Sequence, residues 1–381
     1  MDFELPGQDD PRRTDLREWI AAHPQPTGRQ LAEAGLVAPH WPRPYGLEAD
    51  PVHQLIIDDE LSKAGIRRPA NPIGIGWAGP TILYAGTDAQ KSTYLPRLLS
   101  GEDFWCQLFS EPGSGSDLAN LSTRAIRDGD EYIVNGQKIW TSGAQFAKYG
   151  ILIARTDPDA PKHKGVSYFI CPMDLPGIEI RPITEMTGAQ TFNEVFFTDA
   201  KVPVENLVGE ENKGWTCAKF LLAHERTNIA DVNRAKRELE RLKRIARAEG
   251  VWEDARFRDE IALLEVDIVA LEMLVLRVLS AEKSGKQSLD IAGLLKIRGS
   301  EIQQRYTELM MLAAGPYAVP FLHEAMDAGW QGDSALGGLF PGGAWHCAPL
   351  AGTYFNYRKT SIYGGSNEVQ RNIVAQTVLG S

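Results

Sequence analysis

Residues 131–155, EYIVNGQKIWTSGAQFAKYGILIAR, decide the fold. Apolar and β-branched side chains come here in short runs, EYIVN (131–135), QKIWTS (137–142) and YGILIAR (149–155). Runs this short and this rich in Val, Ile, Tyr and Thr read as strands rather than helices. Asn135-Gly136 between the first two predicts a hairpin turn. The pattern continues in GVSYFICPM (165–173), IEIRPI (178–183) and NEVFFTD (193–199), with Gly, Pro and Asp between the runs. Residues 105–212 are therefore expected to form a small antiparallel β domain.

On both sides the periodicity changes to that of helices. Upstream, residues 1–104 read as a helical domain. ADPVHQLIIDDELSKAG (49–65) brings Val52, Leu55, Ile56, Asp59 and Ser62 onto one partly apolar helical face, and the proline-rich APHWPRPYG (38–46) is a loop. Downstream, residues 213–381 read as a helical bundle. TCAKFLLAHERTNIADVNRAKRELERLKRIARAEG (216–250) is one long periodic stretch, ALLEVDIVALEMLVLRVLSAEK (262–283) is another, and a short helix follows Asn367. The order helices, strands, helices gives an α+β chain without βαβ alternation, which argues against a doubly wound dinucleotide fold. Gly74, Gly76 and Gly79 spell GxGxxG, but no strand precedes them, and Pro72 and Pro80 crowd the segment. It reads as a flexible connection between helices.

Composition narrows the function. The chain has 381 residues, 43% hydrophobic and 24% charged, with a formal net charge of -10. Such a surface repels a phosphate backbone and anionic lipid, so neither nucleic acid nor a membrane is an expected partner. No apolar run is long enough to span a bilayer, and MDFELPGQDDPRR lacks the regions of a signal peptide. The expected location is cytoplasmic. Cys106, Cys171, Cys217 and Cys347 are widely spaced. No CxxC or Cys/His cluster is read from them, so no metal site is expected.

Two segments carry the chemistry. SEPGSGSDLANLSTRA (110–125) is a glycine-rich turn with hydroxyls at Ser114 and Ser116, where a backbone can approach a flat or phosphorylated ligand. GQKIWTSGA (136–144) offers the indole of Trp140 beside Thr141 and Ser142, a stacking face with hydrogen-bonding groups. By themselves they read better as a solvated turn and a core tryptophan.

Their order, followed by FNEVFFTDAKVPVENLVGEENKGW (192–215) and IYGGSNEVQRNIVA (362–375), resembles the acyl-CoA dehydrogenase family over most of the chain. The resemblance implies an N-terminal helical domain, a middle β domain and a C-terminal helical bundle that together hold FAD. It implies α,β-dehydrogenation of an acyl-CoA thioester, with electron-transfer flavoprotein as acceptor. It assigns Gln107, Phe109, Ser110, Gly115 and Ser116 to the flavin, Ser116 also to the thioester end of the substrate, and Trp140 and Ser142 to the other face of the ring near N5. Ser366 and Glu368 match positions that touch FAD, and Tyr363, Gly364 and Arg226 fall on the substrate side.

The reaction removes a proton alpha to the thioester while a hydride leaves the beta carbon. It needs a base, and a carboxylate in a dry pocket suits, because burial raises its proton affinity. Many family members carry that glutamate just before the Gly-Ser pair of the C-terminal motif; here the position is Gly364. Other branches place it on a helix directly before an arginine, and this chain has Glu225-Arg226 there. Ala218, Leu221, Leu222, Glu225, Ile229 and Val232 recur at helical spacing, which puts Glu225 on the apolar stripe. His224 lies about 100° round that helix.

The family's adenine-side motifs are missing. Arg234, Arg237, Arg241, Arg244 and Arg247 stand where relatives have Arg-x-x-Phe-Gly, and read as a solvated face with Glu238 and Glu240. Met310–Pro316 replaces a glycine-rich motif. The resemblance then points to a second, non-identical subunit in an α2β2 assembly, with a homo-oligomer as the other arrangement. Two further functions stay open on the same fold: a flavin monooxygenase or oxidase, and a non-catalytic subunit of a heteromeric dehydrogenase.

Overall fold

The computed structural model describes residues 7–228, 231–283, 289–322, 325 and 345–379; the side chains of 222–228, 279–283, 289–292 and 345 lie outside what it describes. The chain divides into two compact units, Met1–Ile183 with Thr191–Leu221, and Thr184–Gln190 with Leu222–Ser381. Among the described residues no helix is long and apolar enough to cross a membrane.

The first unit begins with helices α1 (Pro11–Ala22), α2 (Gly28–Glu33), α3 (Pro51–Lys63), α4 (Gly79–Ala85) and α5 (Asp88–Ser100). Their starts follow from sequence. Asp10 and Asp50 cap α1 and α3, each ahead of a proline at the first turn, and Thr27–Gln30 and Thr87–Gln90 form reciprocal capping boxes. The apolar face expected on α3 is rotated. Ile56, Ile57, Glu60 and Leu61 are buried, while Leu55 is exposed. Glu60 is met there by two arginines of α1: buried Arg13 donates to its Oε1 at 2.6 Å, and Arg17 Nε to its Oε2 at 2.7 Å. The Gly74/76/79 segment is also not a flexible connection. It is a π-turn over Gly74–Ala78 that runs straight into α4. Gly79 is needed for contact, because a Cβ there would sit 2.1 Å from Cη2 of Trp41.

The strands follow: β1 (Trp105–Leu108), β2 (Arg124–Asp128), β3 (Glu131–Ser142), β4 (Tyr149–Arg155), β5 (Val166–Pro172), β6 (Ile178–Ile183), β7 (Phe192–Pro203) and β8 (Leu207–Val208). They form one antiparallel-rich sheet in the order β6-β7-β3-β2-β4-β5-β8, with β1 added parallel to β4. The α+β architecture expected from the sequence is present. Its core is built on buried Tyr132, Val134, Leu152, Phe169, Val195 and Val202, with Ile178 and Ile180 partly buried against them.

The Asn135-Gly136 hairpin is a correction. The turn between β2 and β3 falls at Asp128–Glu131, and Asn135-Gly136 lies inside β3 at a bulge opposite β7. Asn135 Nδ2 donates to Asp199 Oδ1 at 2.9 Å, and Asp199 N donates to Asn135 Oδ1 at 3.0 Å. Gly136 has φ 149°, and a Cβ there would meet Thr123 Oγ1 at 2.5 Å. The same residue pair that makes tight hairpins also makes bulges, because both require a backbone that L side chains resist.

In the second unit, the long stretch expected over 216–250 is two helices. These are α6 (Gly214–Asn228), whose first half belongs to the first unit, and α7 (Val232–Ala248), which starts afresh at an Asp231 cap onto Arg234 N. They are followed by α8 (Ala255–Lys283), α9 (Leu289–Ala314), α10 (Leu350–Tyr357) and α11 (Asn367–Leu379). Leu239, Leu242, Ile245, Ile261, Leu264, Ile268, Ile302, Tyr306 and Leu309 make the core of this unit. The arginines of α7 are its solvated face. Arg247 lies 4.4 Å over the ring of Trp252, and Arg241 pairs with Glu238.

Candidate active site

In the first unit, β1 delivers Gln107 and leads through Phe109 and Ser110 into the glycine-rich turn. That turn is closed on itself. Glu111 and Ser114 exchange backbone hydrogen bonds at 2.9 and 3.0 Å, and Ser114 Oγ donates to the carbonyls of Asp117 and Leu118. The Ser114 hydroxyl is thus spent inside the loop, whereas Gly115 and Ser116 are exposed. A Cβ at Gly113 or Gly115 would meet nothing within 4 Å among the described residues, so the turn has room beside it. The Phe109 ring faces the other way, buried edge-on against Tyr168 at 6.0 Å.

Strand β3 brings the tryptophan segment alongside. Ile139 N donates to Ser110 O at 2.9 Å, which fixes the two segments in register. Between Lys138 and Thr141 the pairing of β3 with β7 slips. At that slip Trp140 takes φ 59°, a left-handed conformation that costs an ordinary side chain roughly 1–2 kcal/mol. The indole is not buried in return; it is 56% exposed, with Phe192 edge-on at 6.1 Å. Next to it Thr141 is 1% exposed, and its Oγ1 has no hydrogen-bond partner among the described residues. Ser142 is half-buried.

Beneath these residues lies an ion pair that the sequence reading missed. Lys138 is fully buried; its Nζ donates to Glu111 Oε1 at 2.8 Å and to Phe109 O at 3.0 Å. Glu111 also accepts from Ser122 N, Ser122 Oγ and Thr123 N at 2.6, 2.8 and 2.9 Å. Burial pushes the Glu111 carboxyl up, but the Lys138 charge and these donors outweigh it and hold it at about 2. The signal was available: Lys138 stands at an inward position of β3, and a buried lysine demands a carboxylate.

The second unit holds the C-terminal motif. Gly364 and Gly365 have φ 64° and 80°, so the chain turns through two successive left-handed residues before α11. Gly364 offers no side chain to the chemistry. Tyr363 is 44% exposed. Ser366 caps α11, its Oγ accepting from Val369 N at 3.3 Å; its hydroxyl hydrogen can still be given to a ligand. Asn367 is buried and held through Oδ1 by Lys296 Nζ at 2.8 Å and Ser300 Oγ at 3.1 Å. Glu368 points to solvent. Glu225, His224 and Arg226 lie on α6, with side chains outside the described residues.

The first-unit cluster fits a flavin. A ring system with a flat π-face and polar edges needs a stacking surface, a nearby hydroxyl without a partner and a glycine turn with room beside it. Trp140, Thr141 and Gly113–Ser116 provide these.

Comparison with known proteins gives the family. The acyl-CoA dehydrogenase N-terminal, middle and C-terminal domain descriptions match residues 10–102, 106–200 and 212–379. The acyl-CoA dehydrogenase FadE34 of Mycobacterium tuberculosis is 39% identical over 351 residues, 92% of this chain and 45% of that protein, so this chain spans less than half of that relative's length. The acyl-CoA dehydrogenase IpdE1 of the same organism is 32% identical over 98% of this chain and 90% of its own length. Among solved structures, the ChsE4-ChsE5 complex from Mycobacterium tuberculosis matches at TM-score 0.78 and 30% identity, covering 100% of this chain and 99% of that one. The Tcur3481-Tcur3483 steroid ACAD matches at TM-score 0.79 and 30% identity, with 100% and 99% covered. The chain belongs to the acyl-CoA dehydrogenase family of FAD-dependent oxidoreductases.

Proposed function

We propose that this chain catalyses α,β-dehydrogenation of an acyl-CoA thioester, with Glu225 as the base. The observation that carries the reading is Trp140. A tryptophan held in a left-handed conformation and left 56% exposed is strain without a packing reward, and such strain gathers at ligand sites. Bound FAD would supply the acceptor for the hydride from the beta carbon. Trp140 would stack at the flavin ring, with Ser142 and the Thr141 hydroxyl at its edge. Gln107, Phe109 and Ser110 would follow the ring from β1, Phe109 through its backbone. Gly115 and Ser116 would give it room and a hydroxyl donor, and Ser116 would also meet the thioester. Ser366 and Glu368 would be the cofactor contacts of the C-terminal motif.

Gly364 supports the choice of base, since a glycine there removes the alternative carboxylate position. Glu225 would take the alpha proton, and Arg226 would orient it or meet the CoA phosphates. Tyr363 and Gly364 would border the substrate. Electron-transfer flavoprotein would be the acceptor. Two of the similar structures, the ChsE4-ChsE5 complex and the Tcur3481-Tcur3483 steroid ACAD, are named as pairs of chains, the second as a steroid enzyme. They support a second, non-identical acyl-CoA dehydrogenase-like subunit, and steroid-derived acyl-CoA as the first substrate class to test.

The test is anaerobic addition of acyl-CoA esters, steroid-derived and linear, to the chain purified together with its partner subunit. Bleaching of the oxidised flavin, and turnover only with an artificial or flavoprotein acceptor, is expected. Rapid oxygen consumption in air would assign an oxidase instead, and a preparation that binds FAD but bleaches with no ester would end the dehydrogenase reading.

A further inference from the structure

Outside the proposed active site, three ligating side chains of different chemistry converge in the second unit. Glu249 is the residue that closes α7 at its C-terminus. His346 and Cys347 belong to the single turn Trp345–Cys347 that precedes α10. His346 Nε2 lies 2.8 Å from Glu249 Oε1, and Cys347 Sγ lies 3.7 Å from the same oxygen. One atom from each residue falls within 4.8 Å of the other two. Cys347 is fully buried in the core of the unit, and the other two are mostly covered. Sequence spacing shows only the adjacent His346-Cys347 pair; Glu249 is 97 residues from His346. The expectation that no Cys/His grouping exists in the chain therefore missed a cluster that only the fold assembles.

We infer that Glu249, His346 and Cys347 form a binding site for one zinc-class divalent cation. Thiolate sulfur, imidazole nitrogen and carboxylate oxygen are the mixed donor set that zinc takes, whereas magnesium and calcium require oxygen. Charge favours the same ion. A thiolate and a carboxylate carry two negative charges and a neutral imidazole none, so a dication leaves the half-buried site neutral. Zinc bonds of about 2.0–2.3 Å place tetrahedral ligands roughly 3.3–3.7 Å apart. The sulfur–oxygen separation of 3.7 Å already matches, and the oxygen–nitrogen pair must open from 2.8 Å by about half an ångström, within the reach of a small side-chain rotation. A water fills the fourth position.

The thiol has to change state. A cysteine thiol with no cation beside it keeps its proton near neutral pH, whereas a metal ligand is a thiolate. Binding forms the metal–sulfur bond and releases that proton to solvent, one for each ion bound, with no redox change. The ion would join the end of α7 to the turn before α10 and act as a structural staple for the helical unit.

The test uses the holoprotein with its partner subunit, stripped with a chelator and then titrated with zinc chloride, with cobalt chloride as the spectroscopic probe. One ion per chain by elemental analysis is expected, with one proton released per ion in weak buffer and a thiolate-to-cobalt charge-transfer band in the difference spectrum. Zinc, and not magnesium, should raise the thermal midpoint. His346→Ala changes a partly exposed residue and should fold; it and Cys347→Ser should each lose stoichiometric uptake, and Cys347→Ser should lose the band. Substoichiometric zinc, or equal uptake by wild type and the His346→Ala variant, would overturn the site and leave a carboxylate–imidazole hydrogen bond with a thiol beside it. None of these readouts depends on flavin turnover.

Discussion

Lys138 Nζ sits 2.8 Å from Glu111 Oε1, with both side chains essentially out of solvent, and the pair ties the glycine-rich turn to the strand that carries Trp140. Glu111 reaches back to the backbone of Ser122 and Thr123, and Lys138 reaches Phe109 O. Removing either partner strands a buried charge, which costs about 3–5 kcal/mol. Lys138→Met is therefore expected to lower unfolding free energy by that order and to weaken FAD binding, read by chemical denaturation and flavin titration. A Lys138→Met protein of wild-type stability would mean the pair carries no load.

The same carboxylate sets an acid limit. Its folded pKa, about 2, is below the ordinary 4.5. A depressed acid contributes stability above its unfolded pKa and loses it as pH falls through the folded one. Glu111 should therefore support the fold fully above about pH 4.5 and progressively less down to about 2. In Glu111→Gln the acid limb of the stability profile should be shallower across that window. A limb of unchanged slope would assign acid unfolding to other carboxylates.

At Trp140, stability and function should separate. Trp140→Gly relieves a left-handed residue and should leave stability unchanged or higher by about 1 kcal/mol, because the exposed ring loses little burial. Flavin affinity should fall. A variant that loses stability and keeps its flavin would mean the indole is a packing residue.

Gly136 makes a purely structural prediction. Gly136→Ala places a Cβ 2.5 Å from Thr123 Oγ1 at φ 149° and should cost about 2 kcal/mol or more by denaturation. A neutral result would mean that the bulge opposite Asp199 relaxes freely.

The class of the fold was legible because short β-branched runs and long apolar helices have different periods, and neither signal depends on distant contacts. Glu111 and Lys138 were hidden by their separation of 27 residues, although an inward lysine on a strand implied a partner. Asn135-Gly136 misled because one local backbone preference serves both turns and bulges. The buried face of α3 was misjudged for a related reason: Glu60 is inside because Arg13 and Arg17 meet it from α1. The Glu249–His346–Cys347 grouping depends on α7 ending against a turn from far along the chain. Hydrophobic pattern reports which face is buried, but not which polar groups from other elements share it.

The most direct test of the proposed chemistry is anaerobic single-turnover reduction of the flavin by acyl-CoA in Glu225→Gln. The variant should bind FAD and the ester with near-wild-type affinity, since amide and carboxylate are nearly isosteric. Its reduction rate should fall by at least about 100-fold, the usual contribution of a positioned general base. Reduction at the wild-type rate would contradict the account, and the alpha proton would then have to be taken by another group.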